Sequence, residues 1–328
     1  MMLKTYNMLV NLNRRATAPI ASTPAHFHLR KPGLQIRRTA AMAPAAAGKT
    51  LVSFDVDGTL IRSRGVSANK LHKDAYAQAF KEIFNLDTHI DVIQHHGSTD
   101  PLIAIMVLEH HGISKEDALK KMPQLNECMI KYYLEYAKTR AGEGLEKLAG
   151  VEELLKALKA HPDAVSCLVT GNLEPIGWAK MEALGLLGLF SEPRFGGFGT
   201  DFCSGDTAET WKDRTELVRF AAHKGRVALK LDGENGAPLG DLASLAGSNE
   251  GLDKGWSSRV HVGDTPMDIK AALAAGAKAL GVATGVFSKE QLEACAPGNP
   301  NLVVVESFEN TAATLAAMGL SPSKVAAN

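Results

Sequence analysis

Cysteine is scarce in this chain: Cys128, Cys167, Cys203 and Cys295 lie far apart and form no C-x-x-C pair. That spacing excludes a disulfide framework and a cysteine zinc site, and leaves reduced thiols in a reducing compartment. Long apolar runs are missing too. No stretch approaches the ~18 uninterrupted apolar residues that a membrane helix needs, so no membrane partner is expected. Internal repeats are absent. The most local absence is of acidic residues, since none precedes Lys49 while Lys4, Arg14, Arg15, Arg30, Lys31, Arg37 and Arg38 supply seven cations.

Residues 1–48 combine that one-signed charge with abundant Ala, Ser, Thr and Pro, and they have no apolar core for secretion. This is the composition of an organellar transit peptide. The Ala-rich run at Ala40–Ala47 favours the chloroplast over the mitochondrion; a tail without an address, on a cytoplasmic protein, is the other reading. Removing seven of the 36 basic residues leaves 29 against 36 acidic ones. An acidic body argues against a nucleic-acid partner, which would need a basic footprint.

At 328 residues the chain exceeds one average domain. Short apolar runs at Leu51–Phe54, Ala164–Thr170, Arg259–Gly263, Ala277–Ala283 and Leu302–Val305 have the form of buried parallel strands. Helical patterns separate them. Val151–Ala160 carries Val151, Leu154, Leu155 and Leu158 on one face and stops at His161-Pro162, and Asp213–His223 aligns Leu217, Val218 and Ala221. Ser288 and Gln291 have the spacing of a capping box. The alternation predicts an α/β fold, a Rossmann-like, doubly wound parallel sheet.

From 67 to 141 the alternation fails, and four amphipathic helices are predicted: one through Leu71–Phe84, one opened by Asp100-Pro101, one capped by Ser114, and one over Leu125–Lys138. They form a helical-bundle cap domain inserted after the first strand, so the core comprises 49–66 and 142–328. A Gly-, Asn-, Asp- and Ser-rich stretch at 231–256 is expected to be a long, mobile surface insertion.

Ligands of an open parallel sheet bind beyond the carboxyl ends of its strands. Strand one ends in Asp55-Val56-Asp57-Gly58-Thr59-Leu60, strand two in Thr170-Gly171-Asn172, and the strand near 260 in Gly263-Asp264-Thr265-Pro266-Met267-Asp268. In the first, one carboxylate can face a ligand as nucleophile while the second swings over it. A carboxylate attacking phosphorus needs charge offset by Mg²⁺, a hard cation served by two carboxylates and a carbonyl. Asp55 and Asp264 are the pair to hold it. The Thr170 hydroxyl with the backbone of Gly171 and Asn172, and Thr59 past the turn, suit phosphoryl oxygens.

Together these residues resemble the haloacid-dehalogenase superfamily, in its phosphoglycolate- and sugar-phosphatase branch, over about 51–318. D-V-D-G-T-L after an apolar strand is the most specific element. The resemblance implies that Asp55 is the nucleophile and that Asp57 is general acid, then base. It implies Thr170 on phosphate, Asp264 holding Mg²⁺ with Asp55 and the Asp57 carbonyl, and Asp268 around the metal's waters. It also implies a cation from the 213–223 helix. Lys212 and Arg214 both qualify, and the D-R-x-E-L sequence favours Arg214. Asp57 must be protonated as the leaving group departs, so a raised pKa is expected from neighbouring carboxylates.

Other residues invite chemistry less strongly. His110-His111 precede Gly112 at a helix end, where His suits the macrodipole. The segment His95–Asp100 lies between two cap helices, where relatives approach substrate, so His95 and Thr99 are candidate contacts. Tyr132, Tyr133, Tyr136, Met122 and Met129 read as bundle core or surface, and Trp178 and Trp211 as packing residues. A cap over the site implies a small phosphorylated metabolite as substrate. Asp57 argues against carbon–halogen cleavage, and an imine-forming phosphonatase would need Lys70 or Lys73. A phosphomutase would look the same in sequence, and a non-catalytic phospho-ligand or partner-binding protein would have little need of Asp55. The oligomeric state is not encoded in any of these features.

Overall fold

The computed structural model describes residues 48–233 and 240–321. The leader expected at 1–48 therefore falls, but for Gly48, outside the described residues, as does the centre of the 231–256 insertion.

The chain runs β1 (Lys49–Phe54), β2 (Ile61–Ser63), α1 (Lys70–Phe84), α2 (Asp100–His110), α3 (Lys115–Arg140), β3 (Leu145–Lys147), α4 (Val151–Ala160), β4 (Ala164–Thr170), α5 (Glu174–Ala183), β5 (Gly196–Phe198), α6 (Trp211–Ala228), β6 (Trp256–Gly263), α7 (Pro266–Ala274), β7 (Lys278–Val282), α8 (Lys289–Glu293), β8 (Leu302–Val305) and α9 (Thr311–Ala317). Six strands form one sheet in the order β5-β4-β1-β6-β7-β8, every neighbouring pair parallel. Counting only these strands, the order is 3-2-1-4-5-6, the doubly wound arrangement.

Alternation along β1 explains why both faces are covered. Val52 and Phe54 pack with Leu154, Leu155, Leu158 and Leu315 of α4 and α9. Leu51 points the other way, into a cluster with Leu217, Val218 and Ala221 of α6 and Ala271 of α7. A strand buried on both sides favours apolar residues, and the buried Ser53 between them donates to the Val260 carbonyl at 3.3 Å. β5 escapes a sequence reading because it is three residues long and contributes two glycines.

Between β2 and β3, which pair antiparallel, the chain builds a helical layer with its own apolar cluster, including Tyr76, Phe80, Leu102, Leu108, Leu125 and Tyr133. It holds three α-helices, not four. The third and fourth predicted segments are one 26-residue helix, α3, which runs through Pro123. Proline removes one internal hydrogen bond, but Met122, Leu125, Cys128, Met129 and Tyr133 bury one stripe across it and hold the two halves together. Trp178 packs against Phe190 and Phe198, as a core residue should.

The described flanks of the 231–256 stretch are tied down. Arg226 pairs with Asp232 at 2.6 Å, Glu216 accepts from the Gly247 amide at 3.0 Å, and Arg259 reaches Asp253 at 2.7 Å. Leu252 is fully buried, and Trp256 already belongs to β6.

Candidate active site

Strand order reverses between β1 and β6, so the crevice at the switch point opens beyond the carboxyl end of β1. Asp55 is the first residue past that end. Its amide donates to the Val262 carbonyl of β6 at 2.9 Å, and its carboxylate is buried. The chain then turns sharply, the Leu60 amide donating to the Val56 carbonyl at 2.9 Å. Gly58 sits at φ 94°, a conformation for glycine. A Cβ at Gly58 would also lie 2.3 Å from Asp264 Oδ2. The D-G pair thus serves both the turn and the approach of a second acid.

Asp55, Asp264 and Asp268 are all buried, and one carboxylate oxygen from each lies within 4.8 Å of the others. Arg214, from the first turn of α6, places Nη1 3.0 Å from Asp55 Oδ1 and 2.8 Å from Asp268 Oδ1. Asp268 also accepts from the Thr265 hydroxyl at 2.6 Å while completing the capping box of α7. Burial pushes the Asp268 carboxyl up, but Arg214, with bonds from His261 and Thr265, outweighs it and brings it down to about 2. Asp264 is less well compensated. Burial, then the charges of Asp268 and Asp55, hold its carboxyl well above the usual range, against a bond from the Thr59 hydroxyl at 3.0 Å and the charge of Arg214. Asp55 is likewise raised, by burial first, with Arg214 opposing.

These residues fit a hard divalent cation. The donors are all carboxylate oxygens, and three acids face one guanidinium. Both flanks of Asp264 are glycine: a Cβ at Gly285 would stand 1.8 Å from its Oδ2. Asp57 contributes no carboxylate to the group.

The Asp57 carboxylate instead turns to β4 and α5. Lys180 Nζ donates to its two oxygens at 3.0 and 2.8 Å, and Asn172 Nδ2 donates at 2.8 Å. Burial raises the Asp57 carboxyl, but the Lys180 charge and these bonds win and hold it below its ordinary value. The expectation of a raised pKa is therefore wrong for this state, because a cation rather than a second carboxylate adjoins it. Lys180 was not among the expected site residues. The signal for it was its place on the α5 face that buries Ile176, Gly177 and Met181.

The other expected residues divide. Thr170 and Asn172 are buried and line the same cleft as Asp55, Asp57 and Arg214. The Gly171 carbonyl accepts from the Asp100 amide at 2.8 Å, and a Cβ on Gly171 would stand 2.6 Å from Ser98 O. That close approach stitches the helical layer to the 170–172 loop. His95 lines the cleft; burial pushes its imidazole down, towards the neutral form. Thr99 does not line it, being fully buried at the start of α2. Lys212 is also outside, half-exposed and paired with Glu209. The Gly97 carbonyl, two residues after His95, accepts from Arg214 Nη2 at 3.3 Å and from its Nε at 3.4 Å. The cleft is about 620 Å³, the size of a small-molecule site.

Among solved structures, the chain is similar to a hydrolase from Pseudomonas syringae, with 19% identity over 82% of this chain and 98% of that one, at a TM-score of 0.48. It is similar to a predicted phosphatase from Clostridium acetobutylicum, with 18% identity over 82% and 99%, also at 0.48. A HAD hydrolase, family IA, variant 3, from Entamoeba histolytica shares 18% over 82% and 97%, at 0.47. No curated protein sequence matches the chain. The family model described as HAD-hydrolase-like matches residues 249–311, which carry β6, Asp264, α7 and β7. That match lies on the half of the sheet that supplies Asp264 and Asp268, while Asp55 and Asp57 stand at the switch point.

Proposed function

We propose that the protein is a Mg²⁺-dependent phosphatase of a small phosphorylated metabolite, acting through an aspartyl phosphate on Asp55. The observation that carries this reading is the placement of the Asp55 carboxylate, 3.0 Å from Arg214 and grouped with Asp264 and Asp268, in a cleft that Thr170 also lines. Mg²⁺ held by Asp55, Asp264 and the Asp57 carbonyl, with Asp268 beside it, would supply the positive charge that keeps these buried carboxylates ionised and offsets the phosphoryl oxygens.

The chain's own groups account for the rest. Arg214 holds one oxygen of Asp55 and leaves the other to attack phosphorus in line. The Thr170 Oγ1 accepts from the Asn172 amide and from Asn172 Nδ2, so its own hydrogen is directed away from both and suits a phosphoryl oxygen. Asp57, held below its ordinary value in this state, would take up a proton as the phosphorylated substrate binds, give it to the departing oxygen of the leaving alcohol, and then take one from the water that attacks the aspartyl phosphate. The helical layer, acting as a cap, limits the cleft to a small substrate and keeps bulk water away. The leader at 1–48 favours an organelle, the chloroplast first, as the place where this happens.

The test is phosphate release from a panel of phosphoglycolate, sugar phosphates and nucleotides, with Mg²⁺ and with excess chelator. Uncatalysed monoester hydrolysis is so slow that turnover stands far above background. Mg²⁺-dependent release from one compound would support the reading. Isomerised sugar phosphate without net release would replace it with a mutase, and no reaction by folded protein would overturn it.

A further inference from the structure

Lys180 is fully buried, on a helix of the core, and 123 residues from the acid it pairs with. A lysine ammonium taken out of water is costly unless every hydrogen finds a partner. Here all three do: Asp57 Oδ1 at 3.0 Å, Asp57 Oδ2 at 2.8 Å and Asn172 Oδ1 at 2.8 Å. The Asn172 amide closes the ring, since its Nδ2 donates to Asp57 Oδ2 and to Thr170 Oγ1, both at 2.8 Å. Lys180 thereby fixes which way the Asn172 amide faces: with Oδ1 taken by an ammonium, only Nδ2 can meet Asp57 and Thr170.

Resting on the phosphatase reading, we infer that Lys180 is a positioning residue for the reaction, which through Asp57 and Asn172 sets the acid–base carboxylate and the phosphate-binding hydroxyl in one arrangement. The network joins the two sides of the crevice, the Asp55–Asp57 turn after β1 and the Thr170–Asn172 loop after β4. Lys180 itself does not line the cleft. A lysine kept only for stability would be a poor choice at this point, because an apolar residue of equal length would fill the same space beneath α5.

The experiment compares wild type, Lys180→Met and Lys180→Gln, using an alkyl phosphate and an aryl phosphate whose phenol is a good leaving group. Asp57 must protonate the alkoxide but has little to do for the phenolate. Lys180→Met is expected to lower kcat/KM for the alkyl phosphate at least about tenfold and for the aryl phosphate less than about threefold. Lys180→Gln, which keeps one donor for Asp57, should recover part of the alkyl activity. In an Asp57→Asn background, Lys180→Met should cost less than it does in wild type, because the route through Asp57 is gone and only that through Asn172 is left. Equal losses on both substrates, undiminished alkyl activity, or full additivity with Asp57→Asn would overturn the inference while leaving the phosphatase reading intact. A wild type inactive on both would sink the two together. Circular dichroism and the thermal midpoint identify a Lys180→Met protein that has not folded, in which case Lys180→Gln and its leaving-group dependence decide the matter.

Discussion

Replacing Arg214 by Met in metal-free protein would remove the guanidinium that faces Asp55 and Asp268, both of which are buried. Removing one partner of a buried charge pair generally costs about 3–5 kcal/mol. Asp268, with its depressed carboxyl, gives a second figure. Its carboxyl lies at about 2 when folded, against about 3.9 in an unfolded chain, and each unit is worth about 1.4 kcal/mol, so its share is on the order of 2–3 kcal/mol. The sign follows from the depressed folded value. The contribution is fully present above the unfolded pKa and is lost as pH falls through the folded one. Arg214→Met should therefore unfold about 3–5 kcal/mol more easily at pH 7, or roughly 6–15 °C lower. The gap between wild type and variant should shrink as pH falls from about 5 towards 2. Denaturant unfolding with chelator present, repeated at several pH values, reads this directly. A variant destabilised by less than about 1 kcal/mol, or a gap that widens on acidification, would refute the reasoning.

Lys212→Ala, by contrast, should leave turnover within about twofold of wild type, because its ammonium is half-exposed and paired with Glu209; steady-state assays beside Arg214→Met would show it. Gly285→Ala should raise the Mg²⁺ concentration needed for half-maximal activity by at least about tenfold, about 1.4 kcal/mol of lost binding, since its Cβ would displace Asp264. A Mg²⁺ titration of activity matching wild type would contradict that placement.

Much of this site was legible because its chemistry sits where the backbone changes state. Asp55, Asp57, Thr170 and Asp264 each follow a short apolar run, and the parallel sheet gathers strand ends by necessity. The choice between Lys212 and Arg214 was open in sequence but not in space. Two residues on a helix point about 200° apart, so one faces Asp55 and the other solvent. Lys180 stayed hidden because a helical lysine is normally solvated, and its partner lies 123 residues away. The joining of two predicted helices through Pro123 was hidden for a related reason. Local rules mark proline as a break, and the packing that overrides it is tertiary. β5, with two glycines in three residues, is a strand only because β4 lies beside it.

The most direct test of the central claim is to quench turnover of a reactive aryl phosphate with acid and locate phosphate on the protein by peptide mass spectrometry. The expected result is an acid-stable, hydroxylamine-labile acyl phosphate on the peptide containing Asp55, absent from folded Asp55→Asn protein, which should have no measurable turnover. Phosphate on another residue, or an Asp55→Asn variant that keeps most of its activity, would contradict the account.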